Sequence, residues 1–556
     1  MTASQVAVGR PRLARRAMER LVSGHAPLVL GVVCTLIYLV STIVAFFASY
    51  NQGSGREKLT LILLGLLLPL AMAAVVRWRL ETMLGILGVV VALLCPLVGL
   101  AALLLPGIDQ GAAVGNLAVL VPLAGCGAVW ALSRNNRPML LVIAGSLLVA
   151  TACIVVSNER SAILGISVGV AVSAGVVWRY RLAEPSPWLR VIDFASLTLI
   201  TLGLAVYLGL ILAPDQMSRL GVLLPSYYAQ RFALWRDTPA VIQDYLYTGS
   251  GLAASPMVMS SYLFLVHVPY VYHVHNLFLQ VGIEQGMIGM IGLAGMFVAA
   301  FWSMTITLRR AHAYLALCAA SVLAALFTLF VSGLFESDVY AGNWIVCMFL
   351  PFGFAWLIAQ HDTSVRARQR GESNRLRVRD VVVGMLPVVA VLAVIAWPGA
   401  DAQWLANRAA LEQTRIELAR FRFPLNKIQD EVRRNPEINL DAAIQLYEAA
   451  LVRNPNNVTA LRRLGQINLS RGDYAAAEQK LQTAYQLAPQ QRAVRQMLGE
   501  AYAVRGDLDL ATELWRTVDN SADQLPARLW WYAYIEEIDE AKHIYEVLGR
   551  LGISVN

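Results

Sequence analysis

The stretch VYHVHNLFLQVGIEQGMIG, 271–289, places two histidines, His273 and His275, at the mouth of a long apolar run. An imidazole there can be neutral near pH 7 and accept a proton, which suits a general base. Asn276 beside it can orient the ring or bind a hydroxyl. Just upstream, RFALWRDT carries Arg231 and Trp235 four residues apart, on one helix face, with Arg236 about 140° round the axis. The same segment holds Tyr227, Tyr228, Tyr245, Tyr247, Tyr262, Tyr270 and Tyr272. Arginine offers phosphate a forked set of donors, and aromatic rings stack on the apolar faces of sugars. Tyrosines at such a place are also ordinary interfacial anchors. Arg160, in SNERSAILG, and Glu336 and Asp338, in SGLFESDVY, are further ionisable groups at the borders of apolar runs. Glu284 lies nine residues past His275, about half a turn round a helix, and reads as a hydrogen-bond partner for another span rather than a catalyst.

The elements that must position these groups are membrane spans. Hydrophobic residues make up 57% of the chain and charged residues 15%, with a mean hydropathy of +0.55. Apolar runs of about 20 residues, the length that crosses a bilayer core, fall near 28–49, 59–76, 82–105, 112–132, 139–157, 161–178, 191–213, 276–306, 312–334, 342–360 and 380–397. The eighth is longer than a straight span needs, so a tilt or bend is expected, and Gly282, Gly286 and Gly289 allow close helix approach. Placing the N-terminus inside puts twenty arginines on the cytoplasmic side, against Arg56, Lys58 and Arg160 in the short outer loops. This satisfies the positive-inside rule. The net charge of +8 therefore sets orientation and does not point to nucleic acid. The loop 214–275 and everything after Trp397 are then expected outside. All six cysteines lie in apolar runs, which supports neither a disulfide framework nor a zinc site. The basic start of the chain resembles a signal sequence, but its apolar part is long and lacks a cleavage site, so a retained first span is expected.

After 441 the chain repeats. Pro455 and Pro489, Gly465 and Gly499, and Gly472 and Gly506 are each 34 residues apart, the period of tetratricopeptide repeats. The expected organisation is a basic cytoplasmic segment 1–27, a multi-span unit 28–398, a helical connector 399–440 and a repeat domain 441–556 capped by IDEAKHIYEVLG. The fold class is all-α: a polytopic helix bundle of about eleven spans followed by an extracytoplasmic α-solenoid. Such solenoids bind peptides or proteins on a concave face, so the array is expected to recruit a partner and to be separable from the chemistry.

Three stretches resemble the O-antigen ligase and polymerase superfamily of membrane glycosyltransferases. SNERSAILG resembles its arginine motif, RFALWRDT…YTGSGL its outer-loop arginine, tryptophan and glycine motif, and HNLFLQVGIEQGMIG its histidine-asparagine motif. The resemblance covers roughly 28–360. One departure is the absence of a proline before the glycine pair of YTGSGL. The resemblance implies a bacterial cytoplasmic-membrane enzyme that transfers a glycan from a polyprenyl diphosphate, such as undecaprenyl diphosphate, to a lipid, glycan or protein acceptor on the outer face. By that analogy Arg160 and Arg231, with Arg236 as a rival, clamp the diphosphate. His275, with His273 as a rival, deprotonates the acceptor. Asn276, Trp235, Tyr272 and Glu336 are candidates for contact with glycan or acceptor, and Glu336 or Asp338 could instead pair with an arginine. No metal or cofactor is expected, because guanidinium groups supply the positive charge. The first outer loop, NQGSGREK, lacks the paired acids of metal-dependent oligosaccharyltransferases. Ligase, polymerase and protein transferase remain open. A transporter would bury ionisable groups at mid-bilayer, and a scaffold presenting the repeats would not need so many spans.

Overall fold

A computed structural model describes residues 25–75, 80–182, 226–263, 273–369, 377–420, 428–519 and 521–554. Among them there are helices and no strands. The first part comprises α1 (Ala26–Ala48), α2 (Gln52–Val75), α3 (Leu80–Leu104), α4 (Gln110–Leu123), α5 (Gly125–Ser133), α6 (Arg137–Ser157) and α7 (Arg160–Val177). Then come α8 (Ser226–Asp244), α9 (Ser255–Leu263), α10 (Leu277–Arg310), α11 (Ala313–Phe335), α12 (Ile345–Met348), α13 (Leu350–Gln369) and α14 (Val378–Ile395).

Nine helical segments among the described residues are long and apolar enough to cross a membrane. Of the other two expected spans, 59–76 falls on α2, whose side chains are described through Leu68, and 191–213 lies outside the described residues. Side chains such as Leu141, Leu148 and Val156 on α6 are exposed, as lipid-facing positions must be. The helices meet where small residues let them. Gly292 of α10 sits against the backbone of Tyr38 on α1, and Gly165 and Gly169 of α7 sit against Thr328 and Ser332 of α11.

The eighth expected span does bend. Inside α10, Gly286 has φ +70°, a left-handed value that glycine adopts without a Cβ clash. The break bares backbone groups on both sides, and the segment LYTGSGL, 246–252, takes them up. Ser250 and Gly251 donate their N–H groups to the carbonyls of Ile283 (2.7 Å) and Glu284 (3.2 Å), and Met287 N–H donates to Leu246 O (2.9 Å). Gly249, also left-handed, lies against the Glu284 backbone, where a Cβ would collide. The glycine motif is thus a plug for a broken helix. The side chains around the break close a polar network: Glu284 pairs with Lys58 (2.9 Å) and accepts from Ser255 (3.0 Å) and Gln280 (3.1 Å).

The rest of the chain is α15 (Ala400–Arg420), α16 (Gln429–Arg434), α17 (Asp441–Arg453), α18 (Val458–Arg471), α19 (Tyr474–Leu487), α20 (Arg492–Val504), α21 (Leu508–Arg516), α22 (Ser521–Tyr534) and α23 (Ile538–Leu551). Gly465 and Gly499, equivalent in the repeat, face Leu481 and Trp515 and let paired helices approach. This helical array is not held apart from the segment between the seventh and eighth expected spans. Val241, Tyr245, Val258 and Tyr262 share one apolar core with Ala410, Leu418, Met497 and Trp515.

Candidate active site

Two turns and two helix ends build the site. Asn276 is the N-cap of α10: its carbonyl oxygen accepts from Leu279 N (3.0 Å), and its amide donates to Leu334 O (3.1 Å) at the end of α11. This fixes the residue before it, His275, whose φ is +52°. A left-handed backbone at a side-chain-bearing residue costs roughly 1–2 kcal/mol, and it aims the imidazole at the end of α11. There Glu336, the C-cap residue of α11, accepts from His275 Nδ1 at 2.7 Å. The second oxygen of Glu336 lies 3.1 Å from Arg231 Nη1, which also donates to Phe335 O at 2.7 Å.

His273 stands edge-on to His275, with ring centroids 4.2 Å apart, and its Nε2 is 3.0 Å from Asp338. Burial and the neighbouring His275 lower the His273 pKa. Burial alone would raise the Glu336 carboxyl, but its hydrogen bond to His275 and the charges of His275, Arg231 and His273 outweigh it and hold Glu336 below its ordinary value. Asp338 goes the other way: burial, with Glu336, Asp109 and Glu159 nearby, pushes it up to about 8. Glu159 is raised by burial and then by Glu336, and α7 packs on α11 near its end through Gly165 against Ser332. Asn158 turns the chain at φ +57°, so that Arg160 begins α7 immediately after Glu159.

The structure therefore brings His273, His275, Arg231, Glu336 and Asp338 together, with Arg160 one residue beyond Glu159. It does not bring Arg236, whose guanidinium pairs with Asp519 of the repeat array. Trp235 is fully buried and donates Nε1–H to Val274 O at 2.6 Å, so its ring is a brace behind the histidines rather than a face for a sugar. Asn276 is likewise committed to the helix cap and to Leu334. Tyr272 lies outside the described residues. The sequence reading left the Glu336–His275 pairing unassigned: the partners are 61 residues apart and no spacing joins them. For Asn276 a signal existed, since asparagine immediately before a helix is a common N-cap.

His273, His275 and Glu336 offer atoms within 4.8 Å of one another, a spacing that can hold a metal ion. The Arg231 guanidinium on Glu336 places a positive charge against that position, which opposes a divalent cation there.

A helical, multi-pass membrane unit carrying a histidine, carboxylate and arginine rim is the class the fold and site define. Residues 144–294 match the family model described as O-antigen ligase, and 439–492 and 468–530 match tetratricopeptide repeat models. The chain thus joins an O-antigen ligase region to C-terminal tetratricopeptide repeats. The ligase match includes Arg160, Arg231 and His275 and ends before Glu336. No curated protein and no solved structure matches the chain.

Proposed function

We propose that this protein is a glycosyltransferase of the bacterial cytoplasmic membrane that moves a preassembled glycan from a polyprenyl diphosphate to an acceptor on the outer face. In this reading residues 28–398 carry the chemistry, and the connector 399–440 and repeats 441–556 lie outside with the loop 214–275. The distribution of arginines supports that orientation. The observation that carries the proposal is the shared carboxylate: Glu336 holds His275 with one oxygen and Arg231 with the other, in a chain whose 144–294 segment matches the O-antigen ligase family.

A carboxylate only accepts, so Nδ1 of His275 carries the proton and Nε2 presents a lone pair. Nε2 takes the proton of the acceptor hydroxyl as its oxygen bonds to the anomeric carbon. The bond from that carbon to the phosphate oxygen breaks, and its electron pair leaves with the polyprenyl diphosphate. Arg231 and Arg160 stabilise the charge arriving on the leaving group, and Glu336 stabilises the imidazolium. The guanidinium groups do the work a divalent cation would otherwise do, so dialysis against EDTA leaves transfer unchanged. Loss of activity restored by added metal would refute that part.

The deciding experiment supplies a defined lipid-linked glycan and identifies the products by mass spectrometry, which separates ligase, polymerase and protein transferase. His275→Ala lowers transfer by about 10²–10⁴-fold at unchanged protein level. Wild-type turnover in that variant would remove the base.

A further inference from the structure

The face of the repeat array formed by α18, α20 and α22 is lined with charged and amide side chains that are almost wholly buried. Arg462 and Gln466 on α18 recur 34 residues later as Gln496 and Glu500 on α20, and all four are buried. Gln496 and Glu500 pair inside the array, with Gln524 and with Tyr532 (2.7 Å) and Arg528, whereas Arg462 turns to a segment of the same chain outside it. Asp244 of α8 pairs with Arg462 and, at 2.8 Å, with Arg463. Asp237 of α8 lies 3.0 Å from Arg492. Tyr245 shares a hydrogen bond with Thr414 of the connector (2.5 Å) and receives one from Arg463 (3.0 Å). Two further ties hold the stretch that follows α8: Asn407 accepts from Tyr247 N (3.0 Å) and donates to Thr248 (2.9 Å). At Arg462, Arg463 and Arg492 this face is already occupied by α8 of the same chain.

The other side of α8 points at the rim. At 100° per residue, Arg231 and Trp235 lie about 40° apart, whereas Asp237 and Asp244 lie about 200° round from Trp235. One face of the helix holds Glu336 and the Val274 carbonyl between the two histidines; the opposite face is seated in the array.

We propose that the repeat array is a working part of the transferase: by gripping Asp237 and Asp244 it positions α8, and through α8 it sets Arg231 against the diphosphate and Trp235 against the histidine turn. Asp237 and Asp244 are positioning residues. The proposal rests on the reading of Arg231 given above. Ion pairs this deeply buried break at a high free-energy cost, so the grip is firm. A small displacement of a positioning group costs up to about a hundredfold in rate. The array is thus inseparable from the chemistry, contrary to what the sequence suggests.

The test uses the full chain in lipid nanodiscs with a lipid-linked glycan of defined length. Asp237→Asn with Asp244→Asn is expected to lower kcat/KM for the donor by about a hundredfold. Should that double variant not fold, a milder pair on the outer edge decides. Asp519→Arg repels Arg236 at a half-exposed pair and raises the donor KM about threefold with kcat unchanged, and Asp519→Arg with Arg236→Asp restores it. Arg231→Ala is run beside them. Wild-type KM in Asp519→Arg, or failure of the swapped pair to restore it, overturns the clamp while an inactive Arg231→Ala keeps the transferase reading. A fully active Arg231→Ala overturns that reading itself.

Discussion

The two faces of α8 treat charge in opposite ways. Toward the array, Arg462 and Asp244 are 3% and 2% exposed, and each is closed off by its partner. Toward the rim, His275 keeps 29% exposure and Arg231 18%, around a carboxylate that both share. Buried, fully satisfied pairs fix shape, because removing one member strands the other in a poorly solvating interior. Partly exposed groups with a common partner can exchange it for a ligand. One helix therefore joins a region of closed, buried ion pairs to the partly exposed rim proposed as the site.

That contrast can be broken first on the array side. Glu417 holds the buried Arg433 through 2.8 and 3.0 Å contacts, and Glu417→Ala leaves that guanidinium without its main counter-charge. Unfolding of the full chain, followed by calorimetry in detergent, is expected to show a loss of about 3–5 kcal/mol. A rim substitution should do the reverse, sparing stability and removing rate. Glu336→Gln keeps the shape but deletes the charge that orients His275 and supports the imidazolium, so kcat drops by about a hundredfold with little change in unfolding temperature. A parallel fall in both quantities would erase the distinction. The smallest effect sharpens it. Asp338 keeps its proton below about pH 8 and ionises above it, adding negative charge beside the proposed diphosphate position. The donor KM is therefore expected to rise about fivefold between pH 7 and 9, and Asp338→Asn to flatten that limb. An unchanged profile in Asp338→Asn would place the titration elsewhere.

What the sequence makes legible follows from periodicity. Apolar runs of bilayer length and a 34-residue repeat survive any tertiary detail, and so do motifs such as HN at the start of a run and RFALW in the loop before it. Interactions between distant stretches are not periodic. Glu336 as the partner of His275, and Asp519 as the partner of Arg236, depend on where helices end in space. Trp235 shows the limit of residue type alone: an aromatic ring beside an arginine reads as a sugar platform, yet its burial makes it a brace. The clamp left a faint trace, since Asp237 and Asp244 are seven apart and share a helix face away from Arg231.

The interruption at Gly286 has a consequence for biogenesis. The carbonyls of Ile283 and Glu284 at the break accept from Ser250 and Gly251, which precede it in the chain and lie in another segment. A translocon releasing that hydrophobic stretch alone would hand lipid an unfinished helix, with bare polar groups that hydrocarbon does not tolerate. The stretch is therefore finished as a membrane element only once the segment carrying Ser250 and Gly251 is seated against it.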